Sequence, residues 1–181
     1  MDGFTFNCLQ LNTAKVRPMM GSTAADDEDE MTRKHADLAL RLDHQICFAI
    51  YSTAHAFNRV YKPLLGRLGL TYPQYLAMLV LWERDGVPVK EIGERLFLDS
   101  GTLTPLLKRL EKAQLIKRTR SSADERQVLI ALTPQGHALQ DKAKAVPQSI
   151  LAATACSVAE LSAIKNELVA LRDRLNEAAG E

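Results

Sequence analysis

The chain has 181 residues, 46% hydrophobic and 25% charged, enough for one packed domain, with or without a tail, that stays soluble. No run of about eighteen apolar residues is present, which argues against a transmembrane helix. The opening MDGFTFNCLQ lacks a basic stretch followed by an apolar one, so no secretory signal is expected and the chain reads as cytoplasmic. Three scattered cysteines, Cys8, Cys47 and Cys156, cannot form a disulfide scaffold and leave reactive or regulatory thiol chemistry.

The net charge of +1 hides an uneven distribution. Residues 1–30 hold two basic side chains against six acidic ones, a net −4, and the remainder carries +5. Residues 1–35 show no sustained apolar period and contain the run ADDEDE, so they read as a disordered acidic tail, with Met31 as an alternative start. The globular part is expected over 36–181.

From Ala36 to Leu65 the spacing of Leu42, Ile46, Ile50, Phe57, Val60 and Leu64 predicts one long helix, ended by Gly66 and Gly69. Tyr72-Pro73 starts a second helix to about Trp82, apolar on most sides and therefore buried. Short helices are predicted over 89–97 and 100–113, with Asp99 or Ser100 as N-cap of the latter. Residues 116–120 and 127–132 read as two strands around the polar tip SSADER. Thr133-Pro134 opens a helix to about Thr154, with a kink possible at Pro147. Ser157 to Glu160 match a capping box, and Leu161, Ile164, Leu168, Leu171 and Leu175 then form a thin apolar seam that calls for a partner helix.

Helix, helix, helix and hairpin in this order describe a winged helix-turn-helix: mainly α, with a small β-hairpin wing at 117–132. The DNA-binding unit is expected over 73–132, with dimerisation helices at 36–66 and 134–178. In the predicted reading helix, Leu103, Leu106, Leu107 and Leu110 supply a core stripe, leaving Ser100, Thr102, Thr104 and Lys108 for the groove. Pro105 is expected near its first turn, where a missing N–H costs little. Residues 108–120 hold six basic side chains, among them Lys108, Arg109 and Arg118, against Glu111 alone. Charge alone favours a solvated helix face; joined to the wing, it points to double-stranded DNA. Asp124 and Arg126 at the tip would, taken singly, be an ordinary ion pair. In this context Arg126 reaches into a minor groove and Asp124 steers it.

The stretch KEIGERLFLDSGTLTPLLKRLEKAQLIKRTRSSADERQVLIALTPQG resembles the central motif of the MarR family of bacterial transcription regulators, with Asp124-Glu-Arg126 and the following Leu-Thr-Pro-Gln-Gly as its specific marks. The resemblance extends over about 36–178. It implies a homodimer, built by the first and last helices, that reads a palindromic operator with two winged units.

The segment LDHQICFAIYSTAHAFNRVYKPLLGRLGLTYPQYLAMLVLWE is similar to the organic-hydroperoxide-sensing branch of that family. The resemblance implies a redox-sensing Cys47 served by the hydroxyls of Tyr61 and Tyr72, and a second cysteine, matched approximately by Cys156, that resolves the oxidised first. Cys47 and Tyr61 are 14 residues apart, which on one straight helix is about 21 Å of rise. If Tyr61 serves Cys47, it therefore comes from the other protomer. Asp43, one turn before Cys47, opposes the thiolate, whereas a protonated His44 favours it, and the sequence leaves their balance open.

His35, His44, His55 and His137 have no metal-ligand spacing, and no phosphate loop, nucleophile elbow or apolar carboxylate pair is present. No metal, cofactor or enzymatic activity is expected. The leading expectation is a repressor released by an organic hydroperoxide. Release by a small aromatic ligand is the alternative within the class, and a thiol peroxidase the alternative outside it.

Overall fold

The structure, a computed structural model, describes residues 38, 40–120 and 127–180. It divides into two compact units, Met1–Ile50 and Tyr51–Glu181.

In the first unit a 3-10 turn, Leu42–His44, precedes helix α1, Ile46–Gly66, whose later part belongs to the second unit. The single helix expected from Ala36 is therefore interrupted: Arg41 and Gln45 on either side of the turn take extended backbone. Leu42 is 57% exposed. Periodic apolar side chains stabilise a helix only once a surface covers them.

In the second unit helix α2 spans Tyr72–Glu83 and opens on Thr71, whose N–H donates to Gln74 Oε1 at 2.8 Å. It buries Tyr75, Ala77, Met78, Val80 and Leu81, as its all-round apolar sequence requires. Strand β1, Val87–Pro88, leads into α3, Val89–Leu96, and after a tight turn comes α4, Ser100–Lys112. Strands β2, Ile116–Arg120, and β3, Val128–Leu132, pair antiparallel with Ile116 opposite Leu132 and Arg120 opposite Val128. The expected hairpin is thus part of a three-stranded sheet in the order β1-β3-β2. Two residues carry no readable alternation, so β1 left no mark in the sequence.

The helix expected over 134–154 is two helices, α5, Pro134–Ala143, and α6, Ala145–Thr154. Pro147 has no N–H for the carbonyl of Ala143, and its ring crowds that carbonyl, so the break falls at Lys144, ahead of the proline. Helix α7, Val158–Ala179, begins in the predicted capping box: Ser157 N–H donates to Glu160 Oε2 at 2.7 Å and Glu160 N–H to Ser157 Oγ at 3.2 Å.

The core lies between α2, α3, α4 and the sheet, around Met78, Leu81, Ile92, Leu103, Leu107, Leu110 and Ile130. Arg84–Glu91 and Arg95–Glu83 ion pairs tie α3 to the end of α2. No described helix is long and apolar enough to cross a membrane.

Candidate functional site

Helix α4 presents two faces. Leu103, Leu106, Leu107 and Leu110 are buried, whereas Ser100, Thr102, Lys108 and Arg109 are exposed and Thr104 is half-buried. Asp99 caps the helix, accepting from Thr102 N–H and Thr102 Oγ1, both at 2.9 Å. These bonds hold its carboxyl below the usual range, so it stays ionised. The Thr102 hydroxyl is thus engaged in capping, which the reading of it as a free groove contact did not foresee. Pro105 is the sixth helical residue, well beyond the first turn expected for it, and its missing N–H leaves the carbonyl of exposed Gly101 to solvent.

Among the described residues, Lys108, Arg109, Lys112, Lys117, Arg118 and Arg120 crowd into thirteen positions with no ion-pair partner; elsewhere some cations are paired with acids, such as Arg84 and Arg95, and others, such as Arg59 and Arg67, are not. Cations concentrated without counter-ions form an attractive field for a polyanion. Asp124 and Arg126 lie outside the described residues.

The turn between α3 and α4 places Phe97 at φ 55, in the left-handed region. Its ring is 64% exposed, with the Arg172 guanidinium of α7 4.8 Å from the ring centroid. Asp173 Oδ1 fixes that guanidinium, accepting from Nε at 2.9 Å and Nη2 at 2.7 Å.

Tyr61 of α1 and Tyr72 of α2, assigned by resemblance to one site, do come together, with ring centroids 4.7 Å apart. Buried Tyr75 joins them, 6.1 Å from Tyr61 and 6.2 Å from Trp82. Burial, reinforced by Tyr72 and Tyr75, pushes the Tyr61 phenol up to about 12. Burial also raises Tyr72 and, with Tyr72 beside it, Tyr75. Phenols kept neutral remain hydrogen-bond donors, which suits an anionic acceptor such as a thiolate.

Cys47, in the first turn of α1 and in the other compact unit, is exposed. Cys156 sits half-buried in the α6–α7 turn, after Ala155 at φ 52, and its thiol donates to Thr154 O at 3.3 Å. Cys8 lies outside the described residues. Among those described, no group of three or more His, Cys, Asp or Glu side chains could hold a metal ion.

The Leu-Thr-Pro-Gln-Gly sequence forms a structural clamp. Thr133 N–H donates to Leu115 O at 3.1 Å and Thr133 Oγ1 to Gln114 O at 2.6 Å, while Gly136 N–H returns to Thr133 Oγ1 at 3.0 Å. A Cβ on Gly136 would stand 2.1 Å from the Leu115 carbonyl oxygen. Asp85 Oδ1 accepts from Leu132 N–H at 2.7 Å, tying the α2–β1 loop to the end of β3.

A family model described as transcriptional regulator SarA/Rot matches residues 59–143. The chain is 48% identical over 159 residues to the HTH-type transcriptional regulator TtmR of Methylorubrum extorquens, covering 88% of this chain and 82% of that protein. It is 47% identical over 138 residues to the organic hydroperoxide resistance transcriptional regulator of Bacillus subtilis, covering 76% and 94%. The chain belongs to the MarR family of winged-helix transcription regulators. AbfR of Staphylococcus epidermidis, solved reduced and bound to DNA, matches with a TM-score of 0.63 at 36% identity, covering 81% of this chain and 99% of that one. As in the other MarR-family proteins it resembles, the function is DNA-binding transcription regulation.

Tyr75 was not singled out from the sequence, and Trp82, Asp85 and Gly136 were read only as a helix end, a helix terminator and part of a family motif, without their contacts. Tyr75 lies three residues after Tyr72, so helical spacing could have placed both on one face. A polar handle on Trp82 in an otherwise apolar helix was the signal for a buried hydrogen bond.

Proposed function

We propose that this regulator is a homodimeric repressor that leaves a palindromic operator when Cys47 is oxidised by an organic hydroperoxide, with Cys156 as the resolving thiol. The observation that carries the reading is the convergence of Tyr61 and Tyr72 into one cluster of neutral donors, ring centroids 4.7 Å apart. Cys47 is at the other end of α1, so the tyrosine pair that receives it is that of the partner subunit. Its relative in Bacillus subtilis is an organic hydroperoxide resistance regulator, and AbfR has been solved overoxidised on DNA and with a disulfide formed, which supports thiol chemistry at this fold.

The thiolate sulfur of Cys47 attacks the terminal peroxide oxygen. The O–O bond breaks, sulfur takes the OH as sulfenic acid, and the alkoxide leaves and takes a proton to become the alcohol. The Cys156 thiolate then attacks that sulfur, forming a disulfide, and the OH leaves as hydroxide and takes a proton from solvent to become water. A disulfide needs Cα atoms within about 7 Å, so closing it rearranges the dimer.

On the DNA side, Ser100, Thr104, Lys108 and Arg109 of α4, with capped Thr102, face the major groove. Arg118, Asp124 and Arg126 serve the wing. The alternative signal, a small aromatic ligand, has support in an apolar cleft of about 280 Å³ between α1 and α6, lined by Phe57, Val60 and Ile150. A gel shift on the operator decides: release by cumene hydroperoxide, reversed by dithiothreitol and abolished in Cys47→Ser, is expected. Release by an aromatic acid with Cys47→Ser unaffected overturns the redox reading, and continuous peroxide consumption without DNA binding points to an enzyme instead.

A further inference from the structure

The tyrosine cluster continues into the protein. From Tyr61 the contacts run to Tyr75, 3% exposed, and on to Trp82 in an edge-to-face pair. Trp82 Nε1 donates to the carbonyl of Gly136 at 3.0 Å. Gly136 belongs to the first turn of α5, the turn clamped onto Gln114 and Leu115 by Thr133 and by the missing Cβ. Those two residues, with Ala113 before them, make up the joint between the end of α4 and the start of β2, and Gln114 turns there at φ 58. Reading helix and wing leave from opposite sides of one short segment, and Trp82 holds the turn pressed against it.

We propose that Trp82 is a positioning residue that passes the state of the tyrosine cluster to the joint between reading helix and wing. The proposal rests on the redox reading above. Packed interiors do not deform smoothly, so a tilt of the Tyr61 or Tyr75 ring is taken up by its neighbour. At Trp82 the displacement meets a directional bond, either made or broken, because the indole N–H is a single donor and the Gly136 carbonyl is its acceptor. A made-or-broken bond gives the discrete pair of arrangements that coupling between distant sites requires.

Trp82→Phe keeps an aromatic ring and removes the donor. In the full-length protein its operator affinity before oxidation is expected to fall towards that of oxidised wild type, and its further loss of affinity on cumene hydroperoxide treatment to be smaller by about tenfold. Dimedone trapping read by mass spectrometry should show Cys47 forming sulfenic acid at the wild-type rate. A variant that oxidises and releases as wild type overturns the proposal. If wild type keeps its operator with Cys47 oxidised, the redox reading itself has failed and this one with it. A measurement independent of the variant uses the protein's single tryptophan. Its emission should shift on oxidation, in step with operator release, and not shift in Cys47→Ser. Unchanged emission during release overturns the proposal.

Discussion

Helix α4 turns Leu103, Leu106, Leu107 and Leu110 into the protein, none more than 7% exposed, whereas α7, with an equally regular leucine spacing, buries none of its side chains. Ile164, Leu168 and Leu175 stand open, Leu168 at 45%. The two helices read alike in sequence, and the difference is where their cover comes from. For α4 it is the same chain: α2, α3 and the sheet close over it. For α7 no described part of the chain closes over the seam, and a second copy supplies the cover in the proposed dimer. Apolar periodicity states that a face needs covering and not which molecule covers it.

The comparison breaks most severely at Gly136. Gly136→Ala forces a Cβ to 2.1 Å from a backbone oxygen, and backbone cannot step aside as a side chain tip does. A loss of about 3 kcal/mol or more is expected, read by urea unfolding, with the winged unit failing first. A variant as stable as wild type would show that α5 does not press on Leu115.

The opposite test acts on α7. Leu168→Asp should leave the winged unit folded by circular dichroism, convert the protein to a monomer by sedimentation, and weaken operator binding about a hundredfold by uncoupling the two half-sites. A dimer that survives the substitution places the seam outside the interface.

Between these lies the charged face. Lys108→Ala and Arg118→Ala should each cost about 1–3 kcal/mol of operator affinity if they meet bases, or lower the salt slope by about 1 if they meet phosphates. Stability should not change, because neither has a described ion-pair partner. Affinity equal to wild type at two salt concentrations removes that side chain from the interface.

The smallest effect is alkaline. The Tyr61 phenol has a folded pKa of about 12 against 10.0, so the folded state holds its proton more tightly. Its contribution is full below pH 10 and is lost as pH rises from 10 towards 12. Tyr61→Phe should flatten that decline and remove the last step of an absorbance titration at 295 nm. The same last step in the variant reassigns it to another phenol.

What was legible in the sequence follows the same division. The α4 stripe, the β2–β3 hairpin and the Ser157 capping box came through because each is a local pattern that the chain itself satisfies. The helix expected from Ala36 did not, because its apolar spacing implied a cover that Leu40 and Leu42 do not find among the described residues. The break at Lys144 was misplaced towards Pro147, since a proline damages the turn before it. Cys47, Tyr61 and Tyr72 came from resemblance, and only the two tyrosines can be seen to converge. The contacts of Tyr75, Trp82 and Gly136 were missed because they span as many as 54 residues, which no local window contains.

The interruption at Lys144 also bears on speed. A continuous helix that bends during a switch must break backbone hydrogen bonds at the bend and reform them, which sets a barrier. Between α5 and α6 that bond is already missing in the resting protein, since Pro147 has no donor for Ala143. A bend of the segment leading to Cys156 against the clamped first turn of α5 therefore begins with one backbone bond fewer to break. Hinge movements of packed elements fall in the microsecond-to-millisecond range, and a bond absent before the bend begins lowers the barrier to such a movement here.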